Sequence, residues 1–346
     1  MNGPLTGLRV VELVGQGPGP FGGLVLSHLG ADVVGIDRPG GSVNRLFSQG
    51  KQIVTLDLKA PDDRDVLLGL VDKADAFIDP FRPGVCERLG VGPDFALSRN
   101  PRLVYGRMTG FGQTGPLATV AGHDINYIAM SGALSLLGTL GGPPQPPMNL
   151  LGDFAGGGMM LALGIMSAIY ERATSGKGQV LDVAMIDGAT LIALPLWTAR
   201  LNGAWGERGT NQLDGGAHFY GVYECADGEH VSVGAIEPQF YRELLTRLGL
   251  DSGEYPQHDR NRWPEFKATI ARIFLTRSRA EWCEVLEGTE TCFAPVLSPA
   301  EAVAHPHHQA RGAYPQAAPR FDRTPGLSGR PHADVSDAAR SGTLWA

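Results

Sequence analysis

The chain has 346 residues, of which 43% are hydrophobic and 19% charged, long enough to bury a substantial core and to form two domains. Its net charge of −7 argues against nucleic acid or an anionic membrane surface as the main partner. No run approaches the ~20 apolar residues of a membrane span, and MNGPLTGLRV lacks both the basic and the apolar parts of a signal peptide, so the expected location is the cytoplasm.

Leu8 to Leu13 reads as a strand, Phe21 to Leu29 as an apolar helix and Val33 to Ile36 as a second strand. Between the first two lies GPGPFG, with the spacing of a dinucleotide-binding fingerprint, and Asp37 follows about 20 residues after the first glycine, where a ribose-binding acid is expected. Pro18 and Pro20, however, carry no backbone N–H to aim at a pyrophosphate. Pro20 suits the first residue of a helix, so the stretch reads equally as a tight turn whose glycines allow close packing. The alternation continues through QIVTLDL, a helix around Asp62 to Asp72, AFIDP and LVYGRMTG, the mark of a parallel α/β sheet. NLLGDFAGGG leads into MMLALGIMSAIYER, a helix buried on most sides; the strand VLDVAM and a helix from Asp187 to Arg200 follow.

LNGAWGERGTNQLDGGA is polar and weakly periodic, which reads as a linker over residues 201–219. It separates a large domain, 1–200, from a small α+β domain, 220–298. There HFYGVYE and HVSVGAI form a hairpin, followed by helices near Pro238 to Leu248, Pro264 to Leu275 and Arg279 to Leu286 and the strand CFAPVL. Residues 299–346 read as a return segment and a tail packing on the large domain; from Tyr314 the tail shows no sustained period. Cys86, Cys225, Cys283 and Cys292 lie far apart without metal-ligand spacing and read as reduced, structural thiols.

Polar residues in apolar company carry the chemistry, because a buried ionisable group must be paired, hydrogen-bonded or shifted in pKa. His123 and Asp124 precede an apolar helix in AGHDINYIAMSGAL; Asp153 stands before the buried helix as an N-cap would; Glu237 ends a strand before Pro238. Each also fits an ordinary capping role. His305, His307 and His308 have no Cys and no acid but Glu301 nearby, so a solvated loop is preferred to a metal site. Arg38, Lys51, Lys59, Arg82 and Arg88 are mostly near strand ends, where α/β sheets place ligands, and are compatible with a phosphate-rich ligand or with solvent.

GLRVVEL with its Gly/Pro turn, LGADVVGIDRPG, FRPGVCERLG, RMTGFGQTGP, GHDINY, LLGDFAGG, SGKGQVLDVAM and APVL, in this order, resemble the family III CoA-transferases up to about Arg311. GHDINY together with GAIEPQF is similar to the family's racemase branch. The resemblance implies a Rossmann-like large domain and a small α+β domain in an interlocked homodimer, with an active site at the chain–chain interface. It implies an acyl-CoA thioester as substrate and no separate cofactor, since CoA is part of that substrate, and no metal. The CoA-binding residues it implies are Arg38, Leu56, Asp57, Leu58, Lys59, Phe81, Arg82, Arg88, and Gly122, Ile125, Asn126 and Tyr127 of the GHDINY loop. In SQGKQIV the family's relatives carry more arginines, and Lys51 offers a point charge without a fork.

The activity so implied is racemisation of (2R)- and (2S)-2-methylacyl-CoA by proton transfer at C2 through an enolate. His123 and Asp153 match the bases on the two faces, Glu237, from across the dimer, matches the residue that orients the histidine, and Asp124 stands behind them. The helix start at Asp153 is expected to offer N–H groups to the thioester oxygen and to lower the Asp153 pKa, with GGGMMLALGIM supplying apolar walls that raise it and GGPPQPPMN lining an acyl pocket. The rival within the family is CoA transfer, with Asp153 as a nucleophile that passes through an aspartyl-CoA intermediate.

Overall fold

A computed structural model describes residues 3–312, 318–327 and 329–345. The strands are β1 (Arg9–Leu13), β2 (Asp32–Asp37), β3 (Gln52–Thr55), β4 (Ala76–Asp79), β5 (Val104–Thr109), β6 (Gln179–Ala184), β7 (Tyr220–Glu224), β8 (His230–Gly234), β9 (Phe293–Pro295) and β10 (Ala333–Asp334). Seven form one sheet in the order β10-β3-β2-β1-β4-β5-β6, every pairing parallel. The direction of winding reverses between β1 and β4, the place where such sheets open a crevice at their carboxyl ends.

The strands are apolar on both faces because helices cover both. Val11, Val34, Phe77 and Tyr105 face one core, with Phe77 and Tyr105 stacked at 4.8 Å, and Val10, Val33, Ala76 and Val104 face the other with Leu26, Leu161 and Ile165. The first helix, Pro18–His28, begins earlier than its apolar residues indicate, with both prolines in its first turn, where N–H groups need no intrahelical acceptor. A helix with the wide π spacing, Leu150–Met159, runs on directly into Met160–Ser175. Together they make one helix of 26 residues that is long and apolar enough to cross a membrane by length and composition, which corrects the expectation of no such run. It packs against β5 and the Pro18–His28 helix.

Two compact units emerge. The first is Met1–Ala133, Pro147–Leu194 and Tyr314–Ala346; the second is Leu134–Pro146 and Pro195–Ala313. The boundaries therefore differ from the sequence reading in three places. Residues 134–146 belong to the smaller unit. The presumed linker is an ordered turn within it, organised by Asp214, whose carboxylate accepts the N–H groups of Gly209 (2.7 Å) and Asn211 (2.8 Å). The helices Pro299–Ala304 and Pro306–Ala310 also belong there, tied by Arg279, which pairs with Glu229 at 3.0 Å and with Glu301.

The smaller unit holds the antiparallel sheet β7-β8-β9 against the helices Pro238–Arg247, Trp263–Phe274 and Arg279–Leu286. His305, rather than sitting in a loop, caps the Pro306–Ala310 helix and contacts Glu287 at 2.9 Å. Tyr314 lies outside the described residues, but the end of the tail is structured. β10 pairs with β3, and Trp345 is buried and donates its indole N–H to Asp32 at 2.6 Å. All four cysteines are free.

Candidate active site

The carboxyl ends of β1, β4 and β5 open into a cavity of about 890 Å³ walled by residues of the first unit. Gly17, Phe47, Arg82, His123, Asn149 and Asp153 are on its wall, with Phe81, Gly122 and Tyr127 beside them. Gly17 adopts φ 63° and ψ −117°, a conformation that only glycine takes without strain. A Cβ there would stand 3.2 Å from Asp153 Oδ2, so the turn presses directly against that carboxylate.

His123 occupies the N-cap position of the Asp124–Met130 helix in extended conformation, and its N–H donates to Asn126 Oδ1 at 3.1 Å. The imidazole is thus borne on a fixed helix start, and Asn126 serves the fold rather than the cavity wall. Tyr127 bonds the Gly122 carbonyl through its hydroxyl and packs edge-on against Phe111 at 4.9 Å; burial raises its pKa.

Asp153 is not an N-cap. Asn149 holds that position, and Asp153 lies in the first turn, its Oδ2 accepting from Asn149 Nδ2 at 3.1 Å. The N–H groups of Gly152 and Asp153 both donate to Asp124 Oδ2, at 2.6 and 2.7 Å. Those two donors are therefore committed within the protein, contrary to the expectation that this helix start offers them to a substrate. The Asp153 pKa is raised, mostly by burial and further by the Asp124 charge, against the opposing pull of Asn149 and His123. Burial outweighs the Asn149 hydrogen bond and the His123 charge.

The remaining residues inferred from sequence divide sharply. Leu56 is 1% exposed and belongs to the core, because β3 ends by turning it inward. Asp57 folds its own turn, its carboxylate accepting the Lys59 N–H at 3.1 Å. Arg38, Lys59 and Arg88 are exposed and Leu58 is half-buried; they lie outside the described wall, as does exposed Ile125. Lys51 is not available to a phosphate at all. It is 2% exposed and paired with Glu12 at 2.7 Å. Of GGPPQPPMN only Asn149 reaches the cavity, and Met148 is exposed. Glu237 lies in the smaller unit, exposed, at the N-cap of Pro238–Arg247.

Three contributors escaped the sequence reading. Asn149, just ahead of an apolar run, is the one with a recognisable N-cap signal. Phe47 and Phe154, 6.0 Å apart and both touching Phe21, form an aromatic wall from distant segments, with no local signature.

The model of CoA-transferase family III matches residues 5–318. The chain belongs to CoA-transferase family III. It is 47% identical over 334 residues to the alpha-methylacyl-CoA racemase of Mus musculus, covering 93% of this chain and 88% of that protein. It is likewise 47% identical over 336 residues to the alpha-methylacyl-CoA racemase of Homo sapiens, with the same two coverages. The crystal structure of a CaiB/BaiF family protein from Brucella suis superposes with a TM-score of 0.83 at 25% identity, over 100% of both chains.

Proposed function

We propose that the protein is an α-methylacyl-CoA racemase, an isomerase that interconverts (2R)- and (2S)-2-methylacyl-CoA. The observation that carries this reading is the placement of His123 and Asp153 on the wall of one cavity, from the starts of two different helices. The 47% identity to two racemases over nearly the whole chain supports it.

The reaction needs one proton acceptor and one proton donor on opposite faces of C2. In one direction neutral His123 takes the C2 proton while protonated Asp153 delivers its own to the other face of the enolate; in the other, ionised Asp153 accepts and protonated His123 donates. The two starting forms hold the same single proton, so each turnover leaves the pair ready for the reverse reaction. A raised Asp153 pKa serves this exchange, because a carboxyl nearer neutrality is a better base and remains a usable acid. Asp124 holds the Asp153 backbone in place. The enolate oxygen has to take its donors elsewhere than from the Gly152 and Asp153 N–H groups.

We assign the CoA phosphates to Arg82 on the cavity wall together with the exposed cations Arg38 and Lys59, which follow the ends of β2 and β3, and Arg88. We further propose a cytoplasmic homodimer in which Glu237 of the partner subunit orients His123. The acyl-CoA is the substrate and no other cofactor takes part.

CoA transfer with Asp153 as nucleophile is the second reading, supported by the exposure of its carboxylate to the cavity and by the family's description. Incubation with a single 2-methylacyl-CoA epimer in heavy water separates the two. Racemisation washes deuterium into C2 and yields both epimers. Absence of wash-in, with label trapped at Asp153 by hydroxylamine, would replace this reading by transfer.

A further inference from the structure

Beneath the GPGPFG turn lies an ion pair that the chemistry above does not use. Lys51 Nζ donates to both oxygens of Glu12, at 2.9 and 2.7 Å, and to the carbonyl of Pro20 at 2.9 Å. The ammonium's three donors are thereby all spent. Glu12 and Lys51 are 1% and 2% exposed. Glu12 is the penultimate residue of β1, and Lys51 immediately precedes β3, after the segment that carries cavity residues Ser42, Asn44 and Phe47.

The pair is pressed against the first helix. A Cβ on Gly23 would fall 1.6 Å from Glu12 Oε2, so helix backbone and carboxylate share space that no other residue leaves open. The same helix leans the other way on the helix bearing Asp153: a Cβ on Gly158 would meet the Pro18 carbonyl at 2.7 Å, and one on Gly17 would stand 3.2 Å from Asp153 Oδ2. Three backbone contacts thus link the ion pair to Asp153 with few flexible side chains between them.

We propose that the Glu12–Lys51 pair is a positioning device for Asp153. By holding the Pro20 carbonyl it fixes the height of the first turn, and the turn sets where the Asp153 carboxylate lies and how much water reaches it. Two buried charges are a costly way to fill a core if filling is all they do. A hydrogen bond from the ammonium to a carbonyl in the first helical turn is what an apolar pair cannot provide. The groups facing Asp153 are Asn149 at the cap of its own helix and His123, Asp124 and Tyr127 from the neighbouring one. His28, whose pKa burial and Lys51 both lower, faces the pair.

The proposal rests on Asp153 serving as the catalytic carboxyl, and its test separates the two ideas. Glu12→Leu/Lys51→Met replaces the pair without leaving an orphan charge. Thermal unfolding and KM report whether fold and cavity persist. The ¹³C-carboxyl titration of Asp153, assigned by its loss in Asp153→Asn, reads position and hydration whatever reaction the enzyme catalyses. The expected result is KM within twofold of wild type, kcat at least about tenfold lower and an Asp153 midpoint lower by about one pH unit as water enters. An Asp153 midpoint that stays or rises, or an unchanged kcat, in a folded variant overturns the proposal. If the double variant does not fold, Lys51→Met, which removes the donor to Pro20 and lets Glu12 take up a proton, is read by the same criteria. A shifted midpoint in a protein whose wild type shows no wash-in would keep the positioning role and reject the racemase reading.

Discussion

Asp124 Oδ2 accepts the Asp153 backbone N–H at 2.7 Å while Asp153 presents its carboxylate to the cavity from the same residue. One carboxylate thus secures the main chain of the other and, by its charge, raises the other's pKa. In Asp124→Asn the carboxamide oxygen keeps the acceptor and the charge is lost. The Asp153 pKa should fall, moving the acidic limb of the pH–rate profile to lower pH; Asp124→Ala should also lose the two N–H acceptors and cost about 2 kcal/mol in urea denaturation. A limb that stays in place in Asp124→Asn would show that the charge has no part.

Asp153→Asn should separate activity from stability. A carboxyl whose folded pKa lies above its unfolded value binds its proton more tightly when folded, so above both values its ionisation works against the fold, and below both the penalty is gone. Removing the group removes that penalty. Racemisation should be abolished while Tm at neutral pH rises by about 2 °C, and the gain should shrink as pH falls toward 4. Calorimetry across pH checks the sign.

His123→Ala should lower kcat by about 10²- to 10⁴-fold, the range for loss of a general acid–base group. His123 carries no part of the core, so circular dichroism and Tm should match wild type. Arg82→Ala should act differently, raising KM for the acyl-CoA about tenfold or more with little change in kcat, and its effect should weaken at high salt if a phosphate is the partner.

In the smaller unit, buried His218 sets a pH limit on stability. Tyr241 donates its hydroxyl proton to the Tyr255 carbonyl at 3.0 Å, so His218 Nε2, 2.6 Å away, must be the donor to Tyr241. Nδ1, then the unprotonated nitrogen, is left buried without a donor, and burial pushes the His218 pKa down to about 4. Because the unfolded histidine protonates first, stability should be full above about pH 6.5 and decline down to about 4. His218→Phe should flatten that decline, which urea titrations at successive pH values would detect.

The sequence made the sheet legible because its strands are short apolar runs cut by turn residues, and the hairpin β7–β8 legible for the same reason. His123 and Asp153 were legible through motif order, and the cavity holds both. Lys51 was misread because a lysine near a strand end has the same appearance whether it faces solvent or Glu12, and only the fold brings residue 12 to residue 51. The burial of Leu56 was not legible because a motif fixes a segment but not which way each side chain turns. The wide turn at Leu150–Met159 has no periodic signature of its own, and the aromatic wall is assembled from segments more than 100 residues apart, Phe47 and Phe154.

The strand β10 comes from residues 333–334, yet it covers the edge of a strand made near residue 52. During synthesis the outer backbone groups of β3 therefore stay open until Ala333 and Asp334 have emerged. A chain arrested or clipped before Ala333 would carry that edge permanently, and an uncapped edge recruits the edges of other chains. Truncation before Ala333 should therefore raise self-association, which analytical ultracentrifugation would detect.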